Sequence, residues 1–249
     1  MMKLLHEFGI GNRETVIFLH GGGLSWWNYR REAEMLRSEY HVVLPVLDGH
    51  ADSDRPFTSI ENNAAEIIGF IDRYCNGKVM LIGGVSLGAQ ILLEILSQRK
   101  DICRYAIAES AAVIPSKLTN ALIAPAFGMS YRLIKNRRFA RLQFNSLHID
   151  ESLFEDYYRD TCKIGKPDMI AFLKANTSYS LKESIKESTA KLFVLAGEKE
   201  TKTVLRSVAE LMKRIPECTE RILPGLYHGE FSLNHPEDYV DYVKKITSV

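Results

Sequence analysis

The chain has 249 residues, 46% of them hydrophobic and 25% charged, which suits a soluble globular protein with one large core and room for a modest insertion. Thirty-two basic residues stand against 31 acidic ones, a formal net charge of +1. That balance argues against nucleic acid or an acidic membrane surface as partner. The densest basic run, at 132–141, is interrupted by Leu133, Ile134, Phe139 and Ala140 and reads as the solvated face of a helix.

Short β-branched runs alternate with longer amphipathic stretches. The run 15–19 (TVIFL) predicts a buried strand and ends in Gly21, Gly22 and Gly23. A helix is expected over 25–37 and a strand over 41–47 (HVVLPVL), closed by Asp48 and Gly49. Ala64, Ile67, Ile68 and Ile71 share one face of a helix over 60–74. A strand over 78–85 (KVMLIGGV) follows, then a helix over 87–99 and a short strand over 105–108. After a break the rhythm returns: strand 191–196, helix 204–214, strand 219–223 and helix 236–246. Strands alternating with helices predict an α/β fold, a mostly parallel sheet with helices on both faces.

The break runs over 113–188. It carries helical patches at 121–134, 153–161 and 169–175, punctuated by Pro115, Pro125, Gly165 and Pro167. A structureless loop of that length is improbable inside a compact domain. We therefore expect a core of residues 1–112 and 189–249 and a helical insertion at 113–188.

Cys75, Cys103, Cys162 and Cys218 are scattered and form no CxxC pair, so neither a metal site nor a redox motif is suggested. Scattered thiols suit a reducing compartment. Residues 1–13 are polar after Leu5 and lack the apolar stretch of a signal peptide, and no run approaches a membrane span. The expectation is a cytoplasmic protein without a membrane partner.

Gly84-Val85-Ser86-Leu87-Gly88 matches G-x-S-x-G, follows a buried strand and opens an apolar helix, the setting that gives the motif its meaning. A serine held at so sharp a turn needs glycine two residues to either side and projects its hydroxyl above the carboxyl end of the sheet. The amide of Leu87 then points at a reacting carbonyl oxygen from the start of a helix. The bland alternative is a serine N-cap at a glycine-rich helix start. A serine nucleophile needs a base. Of seven histidines, His228 lies just after the last expected strand, at the same edge as Ser86. An imidazole needs a carboxylate to orient it. Glu200, a few residues past the strand at 191–196, gives the order serine, acid, histidine, with Glu198 and Glu109 as alternatives. His235 is expected at the start of the last helix, His6, His41 and His148 outside any constellation, and His50 in an edge loop that it shapes. His20 reads as a structural residue of its turn, and an amide near Gly22 or Gly23 would complete an oxyanion hole with Leu87. No phosphate-loop pattern is present.

In their order, HGGG at 20–23, LDGHADS at 47–53, GVSLG at 84–88, GEKE at 197–200 and LYHGEFSLNHPE at 226–237 resemble the α/β-hydrolase superfamily, in particular its small capped esterases, C–C hydrolases and menaquinone-pathway-type enzymes. The resemblance covers the chain from about Thr15 onward except 113–188, where that family carries a helical cap. It implies Ser86 as nucleophile, His228 as base, Glu200 as acid, the Gly22 and Leu87 amides as oxyanion hole, and no metal or organic cofactor. Glu200 stands where aspartate is usual, and Ala51 where a second glycine is usual. The reading is hydrolysis of a small carboxylic ester or thioester, in the manner of a carboxylesterase. Phe127, Met129, Tyr131, Leu133, Phe144, Phe154, Tyr157 and Tyr158 of the insertion are expected to cover an apolar acyl pocket or to pack its helices. Two alternatives are a C–C hydrolase or lyase, which would want Arg132, Arg137, Arg138 or Arg141 facing the pocket, and a non-enzymatic ligand-sensing protein.

Overall fold

The computed structural model describes residues 5–248, the side chain of Met129 excepted. The reading of the chain start at 1–4, and of Met129 in the insertion, lies outside the described residues. In chain order the elements are β1 (Leu5–Phe8), β2 (Thr15–Leu19), α1 (Arg30–Leu36), β3 (His41–Pro45), α2 (Ile60–Tyr74), β4 (Val79–Val85), α3 (Leu87–Gln98), β5 (Cys103–Glu109), α4 (Lys117–Ile134), α5 (Arg137–Ser146), α6 (Phe154–Thr161), α7 (Lys166–Ser178), β6 (Lys191–Gly197), α8 (Lys202–Arg214), β7 (Thr219–Leu223), α9 (Glu230–Asn234) and α10 (Pro236–Thr247). Among the described residues none of these helices is long and apolar enough to cross a membrane.

The strands form one sheet in the order β1-β3-β2-β4-β5-β6-β7, parallel throughout except for β1 on β3. This is the expected α/β architecture with one addition. Leu5, His6, Glu7 and Phe8, where the sequence predicts only a polar terminus, form an antiparallel edge strand. Side chains alternate across each strand. Ile17, Leu19, Ile82, Ala106 and Val194 face a core completed by α2, α3 and α8. Val16, Phe18, Leu81, Tyr105 and Ile107 face a second core completed by α1 and α10.

Between β5 and β6 the chain runs through α4–α7, as the loss of strand signal predicts. The Asn136 carboxamide accepts from the amides of Arg138 (3.0 Å) and Phe139 (3.2 Å), separating α4 from α5 and splitting the basic run between the two helices. Pro125 ends nothing: α4 continues through it, with the ring on the exposed side. Ala140, Phe144, Leu153, Phe154 and Tyr157 of the insertion form a third core with Leu24 and Trp27 from the loop after β2 and Leu233 of α9. The Trp27 indole donates to Asp160 at 3.0 Å, and Arg30 pairs with Asp156 at 2.9 Å.

The loops after β2 and β3 meet at two buried imidazoles. The Leu47 amide donates to Nε2 of His20 at 3.1 Å, while Nδ1 lies 2.8 Å from the Gly21 carbonyl, so both ring nitrogens serve the turn. His50 places Nδ1 2.9 Å from the Asp48 carbonyl and stacks on Phe172 of α7 at 4.4 Å between centroids. Burial, helped by the neighbouring His50 ring, lowers His20 to about 3, and burial lowers His50 to about 4 against the pull of the Asp48 carbonyl. Ala51, in place of the second glycine, takes the left-handed φ of 43° that a glycine would adopt without strain.

Phe144 is fully buried against Phe154 and Tyr157 at 5.3 and 5.2 Å between centroids. Phe144→Ala is expected to lower unfolding free energy by about 3–5 kcal/mol, read from the urea midpoint. His50 gives a second test. The unfolded ring takes its proton near pH 6.5 while the folded ring resists to about pH 4. The neutral folded ring therefore contributes stability above pH 6.5 that is lost as pH falls. Urea titrations between pH 7 and pH 4.5 should show the wild type losing stability relative to His50→Phe once the pH falls below 6.5, at up to about 1.4 kcal/mol per pH unit.

Candidate active site

Ser86 occupies the single residue between β4 and α3, at φ 54° and ψ −113°. An L-residue holds such a conformation only where its surroundings over-determine it, against a strain of about 1–3 kcal/mol. They do so here. The Ser86 amide donates to the Glu109 carbonyl at 2.9 Å, and the Ser86 carbonyl accepts from Gln90 at 3.0 Å. A β-carbon on Gly84 would lie 2.5 Å from the Gly88 backbone, and one on Gly88 would lie 2.1 Å from the Leu19 carbonyl oxygen. Both glycines of the motif are thus steric requirements, and the Ser86 hydroxyl is delivered to the carboxyl edge of the sheet.

The loops after β6 and β7 are tied at the same edge. Glu198 donates its amide to Leu223 and Lys199 its amide to Leu226, each at 2.9 Å, and Gly197 approaches the Leu226 carbonyl too closely for any side chain. This brings Glu200 to His228: Nδ1 donates to Oε2 at 3.0 Å and lies 2.9 Å from Oε1. The Glu200 carboxylate has no exposed side-chain surface, whereas the imidazole is 47% exposed. Burial alone would raise the carboxyl's pKa. The hydrogen bond and charge of His228, with further bonds from Ser110 and the Thr201 amide, hold it below its ordinary range. With Nδ1 donating to a carboxylate, Nε2 is left as the ring's acceptor.

The two alternative carboxylates are engaged elsewhere. Glu198 Oε2 accepts from the Gly225 amide at 2.8 Å. Glu109 shares strand parity with Tyr105 and Ile107 and so points to the α1/α10 face, where Oε1 accepts from the amides of Phe231 (3.2 Å) and Ser232 (3.3 Å). Counting along the strand from Tyr105 to Glu109 places it on that face.

Ser86, Glu200 and His228 line one cavity of about 350 Å³. Gly21 and Gly22 enter its floor. The Gly21 amide is anchored on the Asn28 carboxamide at 3.2 Å, and a β-carbon on Gly22 would lie 3.5 Å from Cβ of Leu87, so the two residues expected to supply oxyanion donors are neighbours. Leu147, His148 and Ile149, just past α5, close the cavity from above. The sequence places His148 outside any constellation. Here its ring stacks on Tyr227 at 3.8 Å, with the Lys199 ammonium 4.6 Å from the same ring. No sequence pattern points to it, because the insertion lacks the strand register that locates the other residues.

The aromatic residues expected over a pocket do not line this one. Phe144, Phe154 and Tyr157 make the third core, Phe127 and Tyr131 pack against the α2/α3 core, and Leu133 is half exposed. Burying these rings against one another removes more apolar surface than facing an open cavity would. Arg137 and Arg141 pair with Glu155 and Glu151, and none of Arg132, Arg137, Arg138 and Arg141 reaches the cavity, whose lining instead includes the cation Lys199.

The chain is 30% identical over 105 residues, 41% of its length, to a probable alcohol acetyltransferase of Cyberlindnera fabianii, of which the match covers 28%. It is 30% identical over 84 residues, 32% of its length, to epoxide hydrolase 2 of Siraitia grosvenorii, of which the match covers 27%. The chain therefore spans under a third of the length of these curated relatives. Its fold is shared with a solved thermophilic esterase of Thermogutta terrifontis at a TM-score of 0.79 and 16% identity, over 98% of this chain and 92% of the other. The sequence profile described as the alpha/beta hydrolase family matches residues 16–242, so the turn at Ser86 and the Glu200–His228 contact fall within that match and the chain belongs to the alpha/beta hydrolase family.

Proposed function

We propose that the protein is a serine hydrolase that cleaves a small carboxylic ester or thioester through an acyl-serine intermediate. The observation that carries the reading is the 3.0 Å contact of His228 Nδ1 with the buried Glu200, in the cavity that Ser86 also lines. His228 Nε2 takes the Ser86 proton as Oγ attacks the carbonyl carbon, and returns it to the leaving alcohol or thiol. Glu200 fixes the tautomer and stabilises the imidazolium. The Gly22 and Leu87 amides receive the oxyanion, the latter at the positive end of α3. A water activated by the same imidazole then releases the acid, and this scheme needs no metal or organic cofactor.

Residues 113–188 serve as a cap on a core of 1–112 and 189–249, and its stretch 146–149 shapes the acyl site. A cavity of about 350 Å³ with Leu24, Leu147, Ile149 and Leu233 in its lining suits a short to medium acyl chain. The four free thiols support a cytoplasmic setting.

Release of p-nitrophenol from acetate, butyrate and octanoate esters tests the reading. The wild type should turn over steadily. Ser86→Ala should lower kcat by at least about a thousandfold, and Glu200→Gln by about a hundredfold or more with KM little changed. Turnover no higher than that of Ser86→Ala on every ester would overturn the assignment.

A further inference from the structure

Beneath the cavity floor, on the α1/α10 side of the sheet, lies a set of polar groups that the acyl-serine scheme leaves without a role. Glu109 at the end of β5, Glu32 of α1, Tyr29 just before that helix, Ser232 of α9 and Tyr239 of α10 are each 1% exposed or less. The Tyr29 hydroxyl lies against Ser232 and Tyr239, and the Glu109 carboxyl against Ser232. Among the described residues Glu109 makes no ion pair with an arginine or lysine, and its largest electrostatic partner is His228. The groups that face it are Glu32, Tyr29 and Tyr239 from the helical side and His228 and Ser232 from the loop and helix after β7. Burial raises its carboxyl to about 7, against the pull of the Ser232 and Phe231 bonds and of His228.

The contacts of Glu109 and its neighbour reach every member of the site. The Glu109 carbonyl holds the Ser86 amide at 2.9 Å. Its side chain holds the amides of Phe231 and Ser232, in the first turn of the five-residue helix that begins two positions after His228. Ser110, at φ 57°, accepts from the Gly229 amide at 3.0 Å and bonds the Glu200 carboxylate. A five-residue helix has almost no stability of its own, so its place is set by what its free amides bond to. Removing the Glu109 acceptor would leave two buried donors unsatisfied beside the loop that carries His228.

We propose that Glu109 is a positioning residue of the active site, which fixes the separation of Ser86 and His228 by bonding the strand end at one and the helix start after the other. The inference rests on the acyl-serine reading for its kinetic consequence, and on the α9 contacts for its structural one. The ionised carboxylate is the stronger acceptor and also favours the imidazolium formed during attack. The protonated form keeps an acceptor oxygen but loses both effects.

The test compares wild type, Glu109→Ala and Glu109→Gln from pH 5.5 to 9, with folding checked by thermal melts and amide exchange followed over 226–235. Glu109→Ala should lower kcat ten- to a hundredfold at every pH, leave KM within about threefold, and speed exchange at 231 and 232 at least tenfold. Glu109→Gln, which keeps the acceptor, should recover most of that loss below pH 7 and fall progressively behind the wild type above it. Equal behaviour of the two variants would overturn the proposal, as would unchanged exchange in Glu109→Ala. Should the alanine variant not fold, a Glu109→Gln pH profile parallel to wild type would overturn it. Should the wild type cleave no ester, the acyl-serine reading fails by itself, and the exchange result still decides whether Glu109 holds the His228 loop.

Discussion

The first turn of α3 rests against the last peptide of β2, and the 2.1 Å that a Gly88 β-carbon would leave to the Leu19 oxygen admits no side chain. Much of the site follows from that approach. It draws α3 down over the sheet, forces the chain to reverse within the one residue Ser86, and sets the Leu87 amide beside Gly22 of the loop that leaves β2. The pairing of Leu19 with Gly84 fixes the same arrangement from the strand side. The placement of the Ser86 hydroxyl and of the Gly22 and Leu87 amides is thus a consequence of one packing contact between a helix and a strand.

What could be read in the sequence divides along physical lines. The strands from β2 to β6 are largely buried and announce themselves as apolar, mostly β-branched runs, while β7 at the far edge is exposed except at Leu223, and the turn at Ser86 announces itself through glycines that no other residue type can replace. Because β4, β6 and β7 end at the same edge, Ser86, Glu200 and His228 could be brought together from strand order alone. The edge strand β1 escaped because Leu5, His6, Glu7 and Phe8 have one partner strand and no apolar run. The five-residue α9 escaped because its amides are satisfied by Glu109, more than a hundred residues away. The roof residue His148 and the outward course of the insertion's aromatic side chains escaped for a related reason. Helix packing within 113–188 is decided by which surfaces meet, and periodicity gives only which residues share a face.

Two glutamates near the edge show how environment separates chemically equal groups. Glu200 is buried beside an imidazole and stays an anion suited to orienting it. Glu109 is buried among a second glutamate and two tyrosines, and its carboxyl is raised to about 7. Such a divergence between neighbouring carboxyls is how a single fold assigns them distinct duties. Glu200 is one methylene longer than the aspartate usual at its position, and it nonetheless contacts Nδ1 of His228 with both oxygens within 3.0 Å. The extra reach is absorbed by the tie between the loops after β6 and β7.

The floor of the cavity is written in the ends of β2, β4, β6 and β7, while its roof at 146–149 is written in the stretch between β5 and β6. The roof is fastened by the third core and by the Trp27–Asp160 and Arg30–Asp156 bonds, none of which involves Ser86, His228 or Glu200. Substitution at those fastenings can therefore reshape the roof without touching the side chains of Ser86, Glu200 or His228. The His148–Tyr227 stack is where the two halves of the cavity meet, so inheritance can vary roof and floor separately everywhere but at that seam.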